Sequence, residues 1–512
     1  MRQSLVGRGV GYVDLARQAR KMRSKDETVR ANAQKHLSMR LGKLRGLPQK
    51  IGQILSMSRD EDLAEATQNL TDGAEPLPFR EVEPILRETW ELPVEDVVAS
   101  IDPHGLAASL GQVHRAELPD GREVAVKVQY PGIRKAVKAD LRMLGWLSSP
   151  VGDLRRGFDM NAYRSEILRD LEEELDYRVE AKHQQRFQQI LAGLPEWIVP
   201  QVIDEFCGEK VLVTSWVEGE QIEDATRWPA NDRFELATTL LRGFLHMLFR
   251  EGLIHGDPHP GNYRFRRAAE GPQVILYDYG SVTSLSPDHR LALLKLIEIT
   301  MRRKGDPFKP LAALGFDERL LLPIRDKLAA VCSVLFDPFG APGQYDLSQW
   351  KRAERMEDIL GADRWNFRMS APAHLIFIMR AFAGLCYYLD KLGANVAWSI
   401  ALQPHLDEAR HLLDDFDVSA PPTQAGTFDS IARHLKICVT EKGQQKVALT
   451  FPCAAIDDIA NLMGDELCAR VQAQGQEIDA IVRRVRAQAY VPQDLFEFQE
   501  TDSSNGVRVW LE

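Results

Sequence analysis

The chain has 512 residues, 44% of them hydrophobic and 27% charged, which is enough apolar content to bury full cores and too much for a disordered protein. The formal net charge is -10, yet residues 1–50 hold thirteen Lys/Arg against Asp14, Asp26 and Glu27, so a basic N-terminus precedes an acidic body. Six scattered cysteines, Cys207, Cys332, Cys386, Cys438, Cys453 and Cys468, form no C-x-x-C pair and no disulfide-like spacing, which predicts free thiols in a reducing compartment.

The basic, acid-poor N-terminus fits a transit peptide, a membrane-surface helix, or a basic helix docked on the acidic body. It runs into a helical pattern, with Leu37, Leu41, Leu44, Leu47, Ile51 and Ile54 at the 3.6 period and Pro48 dividing two consecutive helices. Residues 76–95 predict another helix. From 97 to 130 the pattern changes to strands, and Pro119-Asp120-Gly121 predicts a hairpin between HRAEL and EVAVKVQY.

A helical stretch from Asn161 to Leu191 precedes the strand KVLVTSWV at 210–217, and mostly helical sequence continues to residue 415. The longest apolar run, HLIFIMRAFAGLCYYL at 374–389, is too short to span a bilayer and is interrupted by Arg380, so it reads as a buried core helix, with no transmembrane segment expected. DVSAPPTQAGT at 417–427 reads as a linker. Beyond it, turns at Lys442-Gly443 and Asn505-Gly506 predict two hairpins alongside two helices, with no visible chemistry.

The chemistry lies in LIHGDPHPGNYRF, 253–265, and VILYDYGSV, 274–282. Asp257 and Asn262 stand five apart, and Asp278 follows an apolar strand with Gly280 two residues on. This is the layout of a phosphoryl-transfer loop: one aspartate orients or deprotonates the attacking hydroxyl, while an asparagine and a second aspartate hold magnesium on the phosphates. Read singly, His255, Asp257 and His259 also fit turn residues or a transition-metal site.

Lys127, in REVAVKV, is placed to reach the nucleotide's α and β phosphates, although a lysine closing an exposed edge strand is also ordinary. Ala107, Ala108 and Ser109, the last of them eighteen positions before Lys127, stand where a phosphate loop belongs, with alanines in place of glycines. A carboxylate partner for Lys127 is expected from DLEEELDYRVEAKH, where Asp176 and Glu180 share a helix face. Trp216 and Val217, closing KVLVTSWV, are expected to border the nucleotide. The protein-kinase A-P-E element is missing: SLSPDHRLALLKLIE starts a helix soon after Gly280, which disfavours a protein acceptor. The fold class expected is α+β: a bilobal protein-kinase-like fold with lobes at 76–218 and 219–416, an N-terminal helical extension at 1–75 and a small α+β domain at 428–512.

In this order the motifs resemble the UbiB-like atypical kinases, also called the ADCK family, over residues 35–400. Lys50, Gly52 and Gln53 match its K-x-G-Q motif, Ala107, Ala108 and Ser109 its alanine-rich loop, and Glu174 and Asp176 its E-x-D motif. The resemblance implies ATP and magnesium as cofactors and slow ATPase or unorthodox kinase activity supporting ubiquinone or other isoprenoid-quinone synthesis. It implies a gate in which Lys50 and Gln53 meet Glu174 and Asp176, with Glu180 paired to Lys127. Glu174 and Asp176 lie about 200° apart on a regular helix, so both meeting the gate requires an irregular helix or two different partners. The departures are two alanines instead of a longer run, Tyr279 at the D-F-G phenylalanine, and no C-terminal membrane segments.

On this reading the partners are ATP and an anionic membrane surface or lipid-biosynthesis proteins, not nucleic acid. The location is cytoplasmic, peripheral to the inner membrane. Two alternatives remain at this stage: a small-molecule phosphotransferase of the aminoglycoside or choline kinase type, and an ATP-sensing scaffold without turnover.

Overall fold

Valines at 124, 126 and 128 alternate with Ala125 and Lys127, the pattern of a pleated strand with one apolar face. In the computed structural model this segment is β4 (Glu123–Gln129), which pairs antiparallel with β3 (Gly111–Glu117) through the predicted hairpin. Gly121 turns that hairpin at φ +85°, a conformation other residues rarely adopt. The structure describes residues 76–108, 110–135, 137, 173–416 and, in the C-terminal segment, 434–441, 444–452, 456, 459, 477–487, 493–499 and 506–512. The N-terminal helices with Lys50 and Gln53, Ser109 and the 417–427 linker lie outside these residues.

β1 (Ser100–Ile101) and β2 (Leu106–Ala107) flank β3, and β6 (Val211–Ser215) completes a five-stranded sheet in the order β1-β3-β4-β6, with β2 also on β3. The valine face of β4 packs under α1 (Phe79–Trp90), where Val82, Leu86, Val124, Val126 and Val128 are fully buried. Each such side chain contributes roughly 1.5–3 kcal/mol. The helix expected to run unbroken to Leu191 is interrupted. Asp176 is extended (φ -128°, ψ 100°), and α2 (Tyr177–Leu191) starts only after it, with the Asp176 carboxylate accepting from Arg178 N.

β5 (Trp197–Ile198), β8 (Tyr263–Ala268) and β9 (Gly271–Leu276) form a three-stranded sheet, and β7 (Leu253–His255) pairs with β10 (Val282–Ser284), so the motif loops emerge from strand ends. These strands join α3 (Ala230–Leu245), α4 (Pro287–Arg302), α5 (Leu375–Leu392) and α6 (Trp398–Glu408) around one large core containing Phe187, Phe265, Tyr279, Tyr388 and Trp398. Ser286 caps α4 by accepting from His289 N, so the helix does begin soon after Gly280. α5 is the long apolar run, buried along Phe377, Ile378, Ala381 and Leu385. Among the described residues no single helix is long and apolar enough to cross a membrane.

In the C-terminal segment, β11 (His434–Glu441), β12 (Gln444–Pro452), β13 (Gln493–Gln499) and β14 (Gly506–Leu511) form an antiparallel sheet in the order β12-β11-β14-β13. The two hairpins are those the turn signals predict. α7 (Ile478–Ala487) buries Ile481 and Val485 together with Leu435, Ile437 and Val509. Cys207, Cys332, Cys386 and Cys438 are free thiols.

Candidate active site

β4 is an interior strand, with Lys127 opposite Val113 of β3 and Leu212 of β6, so the lysine does not sit on an exposed edge. The pleat sends it off the face opposite the valines. Its Nζ lies 2.6 Å from Glu180 Oε1 on α2 and 2.8 Å from Asp278 Oδ2. Burial disfavours the charged lysine, but Asp278 and Glu180 outweigh it and hold its pKa well above the ordinary value. Burial also opposes the charge on Asp278; Lys127 overrides it and drives that carboxyl well below the usual range. At Glu180 burial prevails and the carboxyl is pushed up, with Lys127 pulling the other way. The Tyr177 ring lies 5.1 Å from Nζ, adding a cation–π contact.

The catalytic-type loop is tied to the same place by its backbone. His255 Nε2 donates to the Asp278 carbonyl, and Tyr277 N donates to Asn262 O at 3.0 Å. A carbonyl only accepts, so Nε2 carries the proton, and burial lowers the His255 pKa, keeping the ring neutral. Asn262 Nδ2 donates to both the carbonyl and Oδ2 of Asp257 at 3.1 Å. Gly280 N donates to Asp278 Oδ1 at 3.0 Å. Tyr279 is fully buried against Phe187 and His255, and its hydroxyl donates to Leu276 O at 2.8 Å. His259 accepts from Gly261 N through Nδ1, and among the described residues no group of three His, Cys, Asp or Glu could hold a metal ion.

Glu180 is thus the carboxylate that meets Lys127, while Asp176 stands outside the helix rather than on a shared face and is held by the Arg178 guanidinium at 2.7 and 2.9 Å. Glu174 is buried against the D-Y-G turn: a Cβ on Gly280 would lie 3.1 Å from its Cγ. The helix break sets Asp176 against Arg178 and leaves Glu174 beside Gly280. Ala107 is exposed on β2, and Ala108 donates its N–H to Gly111 O at 2.8 Å, so this amide closes the turn. Gly111 admits no side chain, because a Cβ would meet Val128 O at 2.2 Å. Trp216 N donates to Glu123 O at 2.9 Å, and Val217 O accepts from Tyr277 Oη at 2.5 Å, so each has one main-chain group already bonded.

Sequence reasoning assigned Arg380 no role in the site, yet its Nη2 donates to Asp257 Oδ1. Arg380 is 5% exposed and Asp257 8%. The available signal was a lone charge inside an apolar helical run, which is rarely buried without a partner.

The lysine-bearing antiparallel sheet, the acidic helix beside it, and the D-x-x-x-x-N loop leading to D-Y-G define a protein-kinase-like fold. The family model for the ABC1 atypical kinase-like domain matches residues 69–307. An uncharacterized protein of Synechocystis is 30% identical over 449 residues, covering 85% of this chain and 73% of the relative. The mitochondrial atypical kinases COQ8B of Rattus norvegicus and COQ8 of Saccharomyces cerevisiae are 28% and 25% identical, covering 72% and 70% of this chain and 70% and 73% of their own. A Mycobacterium tuberculosis protein solved in complex with erythromycin aligns with TM-score 0.51 and 27% identity, over 74% of this chain and 98% of its own. The chain belongs to the ABC1, or UbiB-like, family of atypical kinases.

Proposed function

We propose that the chain binds Mg-ATP between the five-stranded sheet and the 257–262 loop and acts as a UbiB-like atypical kinase or ATPase. Its role would be to support ubiquinone or other isoprenoid-lipid metabolism rather than to phosphorylate proteins. The observation that carries the catalytic reading is the joining of Lys127, Glu180 and Asp278 by ion pairs, with Asn262 tied to the same turn. The lipid link rests on family resemblance. In this reading 76–218 and 219–416 are two lobes, 1–75 an extension over the cleft, and 428–512 an appended unit.

The residues present suit magnesium. Asp278 is held ionised by Lys127, and Asn262 turns Nδ2 to Asp257, placing Oδ1 on the opposite side of the amide. Asp278 and Asn262 would hold the ion, which when bound neutralises phosphate charge. Lys127 would take the α and β phosphate oxygens while keeping Glu180, Asp257 would orient the nucleophile, and Ala107, Ala108 and Ser109 would lie along the phosphates. Trp216 and Val217 would border the purine. Lys50 and Gln53, with Glu174 and Asp176, would gate entry. An anionic membrane surface remains the proposed setting, reached through the basic N-terminus.

The test is Mg-ATP binding and hydrolysis by the full chain and by Asp278→Asn, with and without anionic liposomes. Wild type should hydrolyse ATP slowly and faster on liposomes, with the variant reduced roughly 10³-fold or more. Tight binding without turnover in the wild type would favour the ATP-sensing scaffold instead. Ordinary turnover on an aminoglycoside or choline would favour the small-molecule phosphotransferase.

A further inference from the structure

α5 meets the 257–262 loop at three places, each four residues after the last. Arg380 Nη2 donates to Asp257 Oδ1. One turn on, Gly384 lies so close to Pro258 that an added Cβ would stand 2.0 Å from its Cβ and 2.3 Å from its Cγ. A further turn on, Tyr388 Oη donates to the Pro258 carbonyl at 2.9 Å. Positions i, i+4 and i+8 lie along one helix face, so a single stripe of α5 clasps Asp257-Pro258. The neighbouring residues Ile378, Ala381 and Leu385 anchor that helix in the main core.

The stripe fixes a carboxylate, not merely a loop. Arg380 holds Oδ1 and the Asn262 amide holds Oδ2, so rotation of the Asp257 carboxylate breaks at least one bond. A buried ion pair by itself is weak evidence for stability, because well-packed apolar side chains of the same volume often serve a core as well or better. Here the charged pair sits on Asp257, the loop aspartate to which the proposed function gives the nucleophile. A guanidinium also fixes direction as well as charge, which an ammonium does not.

We propose that Arg380 is the positioning residue for Asp257: it sets the carboxylate that orients the attacking nucleophile, while Gly384 and Tyr388 fix the height along α5 from which it does so. This rests on the phosphoryl-transfer reading above.

The test uses the full chain and measures kcat and KM for ATP separately in wild type, Arg380→Lys, Arg380→Gln, Asp257→Asn and the Arg380→Gln/Asp257→Asn double variant. Arg380→Gln should lower kcat roughly 10²-fold, the effect of misplacing a catalytic group by an ångström. KM should stay within about twofold, because Lys127, Glu180 and Asp278 are untouched. Arg380→Lys should recover part of kcat. In the Asp257→Asn background the arginine change should cost nothing further, since groups acting as a unit are not additive.

Gly384→Ala, which pushes Pro258 aside without removing a charge, should show the same kcat loss at unchanged KM. It carries the test if Arg380→Gln fails to fold once the buried Asp257 carboxylate loses the guanidinium. Multiplicative losses in the double variant, or a raised KM at constant kcat, would overturn the role of Arg380. A wild type inert toward ATP would sink the phosphoryl-transfer reading and this inference with it, whereas an active wild type whose Arg380→Gln variant keeps its kcat sinks the inference alone.

Discussion

The sheet of β11–β14 and the residues around Lys127 treat charge in opposite ways. Around the cleft, Glu174, Glu180, Asp257 and Arg380 are each less than a tenth exposed. Among the described residues of the C-terminal segment every buried side chain is apolar, and its ion pair between Arg508 and Asp494 is 50% and 64% exposed. Removing a charge from water is costly unless it is closely paired, so a fold concentrates that cost where the charges are used. The C-terminal sheet is organised by packing, and the cleft by paired ions that packing alone would not select.

The contrast can be broken most sharply at Lys127. Lys127→Met leaves Glu180 and Asp278 side by side without their cation and should destabilise the fold by about 3–5 kcal/mol, read from urea denaturation. Adding Glu180→Gln should recover part of that loss. An unchanged midpoint would mean the cluster behaves like surface charge.

A smaller effect tests a half-buried group with no ion pair among the described residues. His405 of α6 packs against Phe249, and burial, with His246 adding to it, lowers its pKa to about 4 from 6.5. The unfolded chain therefore binds this proton first as pH falls, so the contribution of His405 to stability is intact above pH 6.5 and is lost between there and pH 4. His405→Gln should make the acid loss between pH 7 and pH 4.5 smaller by about 1–2 kcal/mol, after allowance for partial exposure. An identical acid slope in the variant would place that imidazole in solvent.

The smallest effect belongs to the C-terminal sheet. Arg508→Ala should shift stability by less than about 0.5 kcal/mol, as for an exposed ion pair. A larger loss would mean that this sheet also relies on charge.

What could be read from the sequence follows the distance over which each feature is encoded. The β3–β4 hairpin, the early start of α4 and the two C-terminal hairpins rest on signals within a few residues, such as Pro119-Asp120-Gly121 and Ser286, and they were legible. The spacing of Asp257, Asn262 and Asp278 named residues that the structure joins through His255 and Tyr277. That Glu174 and Asp176 would need an irregular helix or two different partners was also legible, but the place of the break was not. The Asp176 cap on Arg178 N is local, but an aspartate within a helical pattern does not by itself end a helix; the packing of Tyr177 near Lys127 comes from another element. Arg380 was the least legible, because its partner is 123 positions away and only the register of α5 brings them together. The interior position of β4 was not legible for the same reason, since β6 is supplied from beyond α2.

The hydroxyl of Tyr279 bears on which compounds this cleft can accept. Small molecules that enter kinase clefts by occupying the room vacated by the D-F-G aromatic ring need that ring to leave its seat. Here departure gives up both the burial beside Phe187 and the bond to Leu276 O, and leaving a buried acceptor unpaired costs about 1–3 kcal/mol. Movement of the D-Y-G ring is thus opposed by a hydrogen bond as well as by packing.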